Sequence, residues 1–180
     1  MSSSFNLDPV TRITAGAVGE PGQRTFFIQV RSDQELVTLQ AEKQQVQVLS
    51  TTLGQLLEAI AEAGAEAGEE PPDEAPPPAE ADLELEEPLV PEWRIGPLAI
   101  EVDEDRMMIV LIAQESLPDE SEDEPATARF VATPAQMRVL SEQAERVCSA
   151  GRPRCQFCGF PLEPEGHVCP AQNGHRRIES

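Results

Sequence analysis

The chain is short of almost everything that supports chemistry in a small domain. Among its 180 residues there is no tyrosine, one tryptophan, one lysine (Lys43), two histidines and four cysteines. Both histidines and all the cysteines fall between Cys148 and His175, so a histidine-dependent triad in the preceding body is excluded. No apolar run approaches the roughly 18–20 residues of a membrane span, and the start, Met1-Ser-Ser-Ser-Phe-Asn-Leu-Asp8, has neither the basic nor the apolar region of a signal peptide. A cytoplasmic protein is expected, with its thiols reduced. There is no P-loop, no Gly-x-Ser-x-Gly and no dinucleotide fingerprint; Gly16, Gly19 and Gly22 fall in a hairpin turn with no helix after them. Basic residues are also scarce. Thirteen Lys and Arg face 33 Asp and Glu, a net charge of −20, which repels phosphate backbones and argues against nucleic acid.

What the chain does have is pattern. With six Phe as its main aromatics, the core must be built of Val, Leu, Ile and Ala. Pro9–Val18 and Arg24–Arg31 read as strands joined by the turn Gly19-Glu-Pro-Gly22, and Leu36–Gln40 as a third strand. From Glu42 the period changes. Val46, Leu49, Leu53, Leu56, Leu57 and Ile60 recur at helical spacing, predicting a helix over 42–63. After Trp93 the same order returns: strands at Pro97–Val102, Met107–Ala113 and Thr127–Ala132, then a helix opened by Thr133-Pro134 with Met137, Leu140, Ala144 and Val147 as its stripe. Gln45-Val-Gln-Val-Leu-Ser50 matches Gln136-Met-Arg-Val-Leu-Ser141 at four of six positions, which suggests an internal repeat.

These elements predict an α+β fold: an antiparallel sheet from two β-β-β-α halves, helices on one face, and a zinc-binding C-terminal tail. The expected divisions are a first half over 1–63, an acidic linker over 64–92, a second half over 93–151 with an acidic loop at 115–125, and a tail over 152–180. From Glu62 to Glu92 there are twelve acidic residues, seven prolines and no Lys or Arg, so the linker is expected to be disordered, with Leu83-Glu-Leu85 and Leu89-Val90 as pieces able to dock.

The tail carries the clearest chemistry. Cys155-Gln-Phe-Cys158-Gly places two thiolates on one tight turn, and His167-Val-Cys169 returns two more ligands from one side of an extended segment. Cys155, Cys158, His167 and Cys169 form the expected metal site, with Zn2+ as the ion. His175 is the alternative fourth ligand, and Cys148, on the last helix, a further one. Four protein ligands leave no position for water, so the zinc is expected to be structural. A redox Cys-x-x-Cys would open a helix after a strand, which this one does not.

Two stretches resemble a known family. Asn6-Leu-Asp-Pro-Val-Thr-Arg-Ile-Thr-Ala-Gly-Ala-Val-Gly-Glu-Pro-Gly-Gln-Arg-Thr-Phe-Phe-Ile-Gln29 is similar to the opening, and Cys155-x-x-Cys-Gly-x-Pro-Leu-x-Pro-x-Gly-His-x-Cys-Pro-x-x-Asn-Gly174 to the close, of an uncharacterised bacterial family, domain of unknown function 3090. The resemblance spans the chain apart from the acidic linker. It implies a mainly actinobacterial protein whose gene neighbours include a phosphoglycerate-mutase-like phosphatase and the ligase of mycothiol synthesis, and it implies no activity. Its members often carry an aromatic residue at the place of His175, which favours His167 as the ligand.

The functional expectation is therefore a cytoplasmic zinc-binding accessory protein that contacts a protein partner, with no catalytic residues assigned. The alternative is an enzyme or small-molecule-binding domain linked to thiol metabolism, for which Arg12, Arg24, Arg31 or Arg106 would line a deep pocket. A third reading, a nucleic-acid-binding ribbon, rests on Arg146, Arg152, Arg154, Arg176 and Arg177 near the tail.

Overall fold

The computed structural model describes residues 2–68, 80–151 and Phe157. Three antiparallel strands, β2 (Arg12–Val18), β3 (Thr25–Arg31) and β4 (Leu36–Ala41), form one sheet. It leads into the helix α1 (Lys43–Glu66). A single turn of helix, α2 (Glu80–Leu83), precedes β5 (Ile95–Asp103), β6 (Met108–Glu115), β7 (Thr127–Ala132) and the helix α3 (Pro134–Ser149). A short strand β1 (Phe5–Leu7) completes the second sheet, whose order is β1-β7-β6-β5. Among the described strands, every pairing in the two sheets is antiparallel except β1 on β7.

The α+β class is thus as the periodicities predict, and the order strand, strand, strand, helix occurs twice, in β2-β3-β4-α1 and in β5-β6-β7-α3. The strands divide between two sheets, which meet at both edges. Gln40 of β4 bridges Arg94 in parallel, and Glu92 N–H donates to Thr38 O at 2.8 Å. At the other edge Val10 N–H donates to Val131 O at 2.9 Å. Each half therefore lends the segment before its first long strand to the last strand of the other half.

Alternation along the strands sorts side chains by face. Ile13, Ala15, Ile28, Val30, Val37 and Leu39 point inward from the three-stranded sheet; Leu7, Ile109, Leu111, Ala128 and Phe130 do so from the four-stranded one. The two helices close this common core. α1 buries Val46, Leu49, Ser50, Leu53 and Leu57, and α3 buries Met137, Leu140, Ser141, Ala144 and Cys148. Each of these five pairs is separated by 91 positions, the separation of Ser50 from Ser141. The two serines sit where the helices cross: Ser50 Oγ donates to Ser141 O at 2.8 Å and Ser141 Oγ to Ser50 O at 2.9 Å. Small side chains let the backbones approach, and each hydroxyl finds a carbonyl in place of water.

The helix starts also match. In α3 the Thr133 hydroxyl accepts from Gln136 N–H at 3.2 Å while Gln136 Oε1 accepts from Thr133 N–H at 2.9 Å. Glu42 and Gln45 make the equivalent box in α1. Both glutamines use the remaining amide to hold a strand entrance: Gln45 Nε2 donates to Ile95 O at 3.0 Å and Gln136 Nε2 to Val10 O at 3.0 Å. Removing one capping hydroxyl leaves a helix N–H without its partner. Thr133→Ala is expected to lower unfolding free energy by about 1 kcal/mol, read as a shifted urea midpoint at unchanged slope.

The stretch expected as an acidic linker, 64–92, is described at both of its ends. α1 runs on to Glu66, because Ala and Glu are strong helix formers that carry it past Ile60. At the other end, residues 82–86 lie on the three-stranded sheet and hold specific partners there. No helix among the described residues is long and apolar enough to cross a membrane.

Candidate functional site

The outer face of β2-β3-β4 is polar where most covered sheet faces are apolar. Thr14, Gln29 and Thr38 are direct register partners and form a row across all three strands. All three are buried. Gln29 Nε2 donates to Thr38 Oγ1 at 3.1 Å. On one side of the row stand Arg12 and Arg31, also register partners; on the other lie Gly16, Phe27 and Gln40.

What covers this row is Asp82-Leu-Glu-Leu-Glu86, and nearly every contact is a specific one. Thr14 Oγ1 donates to Leu83 O at 2.8 Å. Arg12 Nε donates to Asp82 O at 2.6 Å, and its guanidinium also donates to Glu84 O. Gln29 pairs with the Glu86 backbone as one strand pairs with another: Nε2 donates to Glu86 O at 3.0 Å, and Oε1 accepts from Glu86 N–H at 2.7 Å. The Glu86 carboxylate is held by both arginines, with Arg31 Nε at 2.8 Å, the Arg31 terminal nitrogen on the second oxygen, and Arg12 at 2.9 Å. A planar guanidinium meeting a carboxylate through two parallel donors is the geometry that selects Arg over Lys.

Leu85 supplies the apolar contact. It lies over Gly16 so closely that a Cβ there would stand 2.5 Å from Leu85 Cγ. The absence of a side chain at Gly16 is what creates the seat. The face therefore reads four features of a segment that leaves the single turn of α2: backbone carbonyls, one amide N–H, one leucine and one carboxylate.

Electrostatics follow from these contacts. The hydrogen bond from Arg31 holds the Glu86 carboxyl below its ordinary pKa, with the charges of Arg31 and Arg12 acting the same way against partial desolvation. A depressed carboxylate pKa stabilises the docked form above the unfolded value of about 4.3, and that contribution is lost as pH falls through the folded value. NMR signals of Glu86 N–H and the Gln29 side-chain amide are thus expected to keep docked shifts at pH 6. As pH falls below the ordinary carboxylate range and through the depressed folded value, they should move to solvent-like values while β7 amides stay in place. Signals that stay docked after the Glu86 carboxyl itself has titrated would contradict the role given to the carboxylate.

The four arginines singled out by sequence do not converge. Arg12 and Arg31 grip Glu86. Arg24 donates to Ala150 O at 2.7 Å and to Val147 O at 3.4 Å, satisfying carbonyls at the end of α3. Arg106 holds Asp8 through two bonds of 2.7 and 2.8 Å, with Arg129 3.6 Å away, and the Arg106 hydrogen bond in particular keeps the Asp8 carboxyl below its ordinary pKa. None of the four lines the open groove of about 390 Å³ between α1 and the edge strand β5, whose walls include Val48, Leu49, Leu98 and Ile100.

Cys155, Cys158, His167, Cys169 and His175 lie outside the described residues. Cys148 is described, and it is buried in the helix interface with Sγ 3.8 Å from Lys43 O. Burial pushes its thiol pKa up, away from the thiolate that a metal needs. Among the described residues no group of three or more His, Cys, Asp or Glu is placed to hold a metal.

Sequence reasoning missed the covered face. Its signal was present: Arg12, Thr14, Gln29, Arg31 and Thr38 all occupy the polar phase of their strands. Comparison with curated proteins and with solved structures gives no match. The family described as "Protein of unknown function (DUF3090)" matches residues 5–169. With nine-tenths of its length inside that match, the chain belongs to the DUF3090 family.

Proposed function

We infer that this chain is a cytoplasmic, zinc-binding accessory protein that acts by binding another protein. The observation that carries the reading is the outer face of β2-β3-β4, where Arg12, Thr14, Gln29 and Arg31 all engage backbone or carboxylate of residues 82–86. A surface of that kind recognises polypeptide.

The tail supplies the metal. Three thiols and an imidazole, from Cys155, Cys158, Cys169 and His167, match the ligand types and number of a closed tetrahedral zinc site. Such an ion folds a segment too short to have its own core. α3 ends beside the start of α1, close to Lys43. The matching helix pairs at a separation of 91 and the reciprocal Ser50–Ser141 bonds support reading the body as a tandem repeat of one β-β-β-α unit.

The test is co-purification. Affinity-purified at native expression level and physiological salt, the chain is expected to elute with one partner protein in fixed stoichiometry. Elution as a free monomer would overturn the accessory role.

A further inference from the structure

The segment over the β2-β3-β4 face has the properties of a ligand more than those of a core element. A permanently covered sheet face is normally filled with Val, Ile and Leu, because apolar burial stabilises it. Here the covered row is Thr14, Gln29 and Thr38 with two arginines beside it. Thr14, Gln29 and the two arginines can each exchange their partners in residues 82–86 for water without leaving an orphaned donor or acceptor, while Thr38 keeps its bond from Gln29. Glu86 and Arg31 are already more than a third exposed, so their pairing is screened by solvent. Leu83 and Leu85 are only half-buried. The single site shaped to a side chain is the Gly16 seat for Leu85.

We propose that the outer face of β2-β3-β4 is a receptor for an acidic peptide of a partner protein, and that residues 82–86 occupy it in cis as a competing self-ligand. The recognised chemistry is read directly from the occupant. A leucine seats on Gly16, the next residue is acidic and meets Arg31 and Arg12, and Gln29 takes the N–H and C=O of that acidic residue. Thr14 takes the carbonyl three positions before it, and Arg12 those two and four positions before it. The ligand is thus a short segment with a Leu-acidic pair, its preceding carbonyls presented from the end of one helical turn. Covalent tethering gives the self-ligand an effective concentration on the order of millimolar. An incoming peptide therefore sees only the fraction of molecules whose face is open, and its apparent affinity falls by that fraction. This inference rests on the protein-binding reading above and is independent of the metal tail.

The full-length chain tests it. The probe is a fluorescent synthetic peptide with the sequence of residues 80–88. The wild-type chain is compared with a variant carrying Leu85→Ala and Glu86→Ala, which removes the seated leucine and the gripped carboxylate while leaving the receptor face intact. The variant is expected to bind the peptide at least tenfold more tightly than wild type. Adding Arg31→Ala should remove at least tenfold of that affinity, and a scrambled peptide of the same composition should not compete. Equal affinity for wild type and variant, or equal competition by the scrambled peptide, would overturn the proposal. Should the variant fail to fold, the wild-type chain answers alone: excess unlabelled peptide is expected to raise hydrogen exchange at the Glu86 amide several-fold, and an unchanged rate would overturn it. Failure here in a chain that still co-purifies with a partner would sink this site and leave the accessory role standing.

Discussion

Phe130→Ala is expected to lower the unfolding free energy by about 3–5 kcal/mol, a large share of the roughly 5–15 kcal/mol that holds a domain of this kind together. Phe130 is the largest fully buried side chain. It sits in β7, between two neighbours in register: Leu7 of β1 on one side and Leu111 of β6 on the other, both buried. Interior β-strands cannot slide inward to fill a void without breaking their ladders, so most of the cavity would persist. The cost then includes both the lost transfer energy and the cavity term. Urea unfolding should show a lower midpoint at unchanged slope, because the surface exposed on unfolding stays similar. A loss under about 1 kcal/mol would mean that the sheet relaxes around the site and that β1 does not pin β7 as described.

The second large effect is expected at Gly16. A methyl group there meets Leu85 Cγ, Cδ1 and Cδ2 at 2.5–3.0 Å, well inside contact distance. Gly16 lies in β2, paired with Phe27, so the strand cannot step back; the Leu85 side chain must leave its seat, which loosens the covering segment. Overpacking of this kind costs about 1–3 kcal/mol, about a ten- to hundredfold shift in the docking equilibrium. The inner core is untouched, since Ile13 and Ala15 face the other way. Gly16→Ala is therefore expected to raise hydrogen exchange at the Glu86 amide ten- to hundredfold while β3 and β7 amides keep their protection. Loss of protection across the whole sheet would show instead that residues 82–86 are part of the cooperative core.

The contrast between those two sites explains what was readable from sequence. β3, β7 and α3 were legible because their signals are local: alternating β-branched and aromatic residues, and a Thr-Pro cap with Gln136 three residues on. β1 was not, because three residues carry no period and its partner strand lies more than a hundred positions away. The division into two sheets was hidden for the same reason, as alternation gives the face of a strand but not its neighbours. The 82–86 segment was hidden by composition. An acidic, proline-rich run reads as unable to bury surface, yet its partners are two arginines and a glutamine 55 to 74 residues earlier. The expected metal ligands are the reverse case: their spacing is explicit in the sequence, and they lie outside the described residues.

The zinc content of the purified full-length chain therefore tests the accessory-protein account most directly. Measured by elemental analysis beside His167→Ala and His175→Ala, the wild-type chain is expected to carry one zinc, lost in His167→Ala and kept in His175→Ala. A wild-type chain without zinc, or one that loses it only in His175→Ala, would contradict the assignment of Cys155, Cys158, His167 and Cys169.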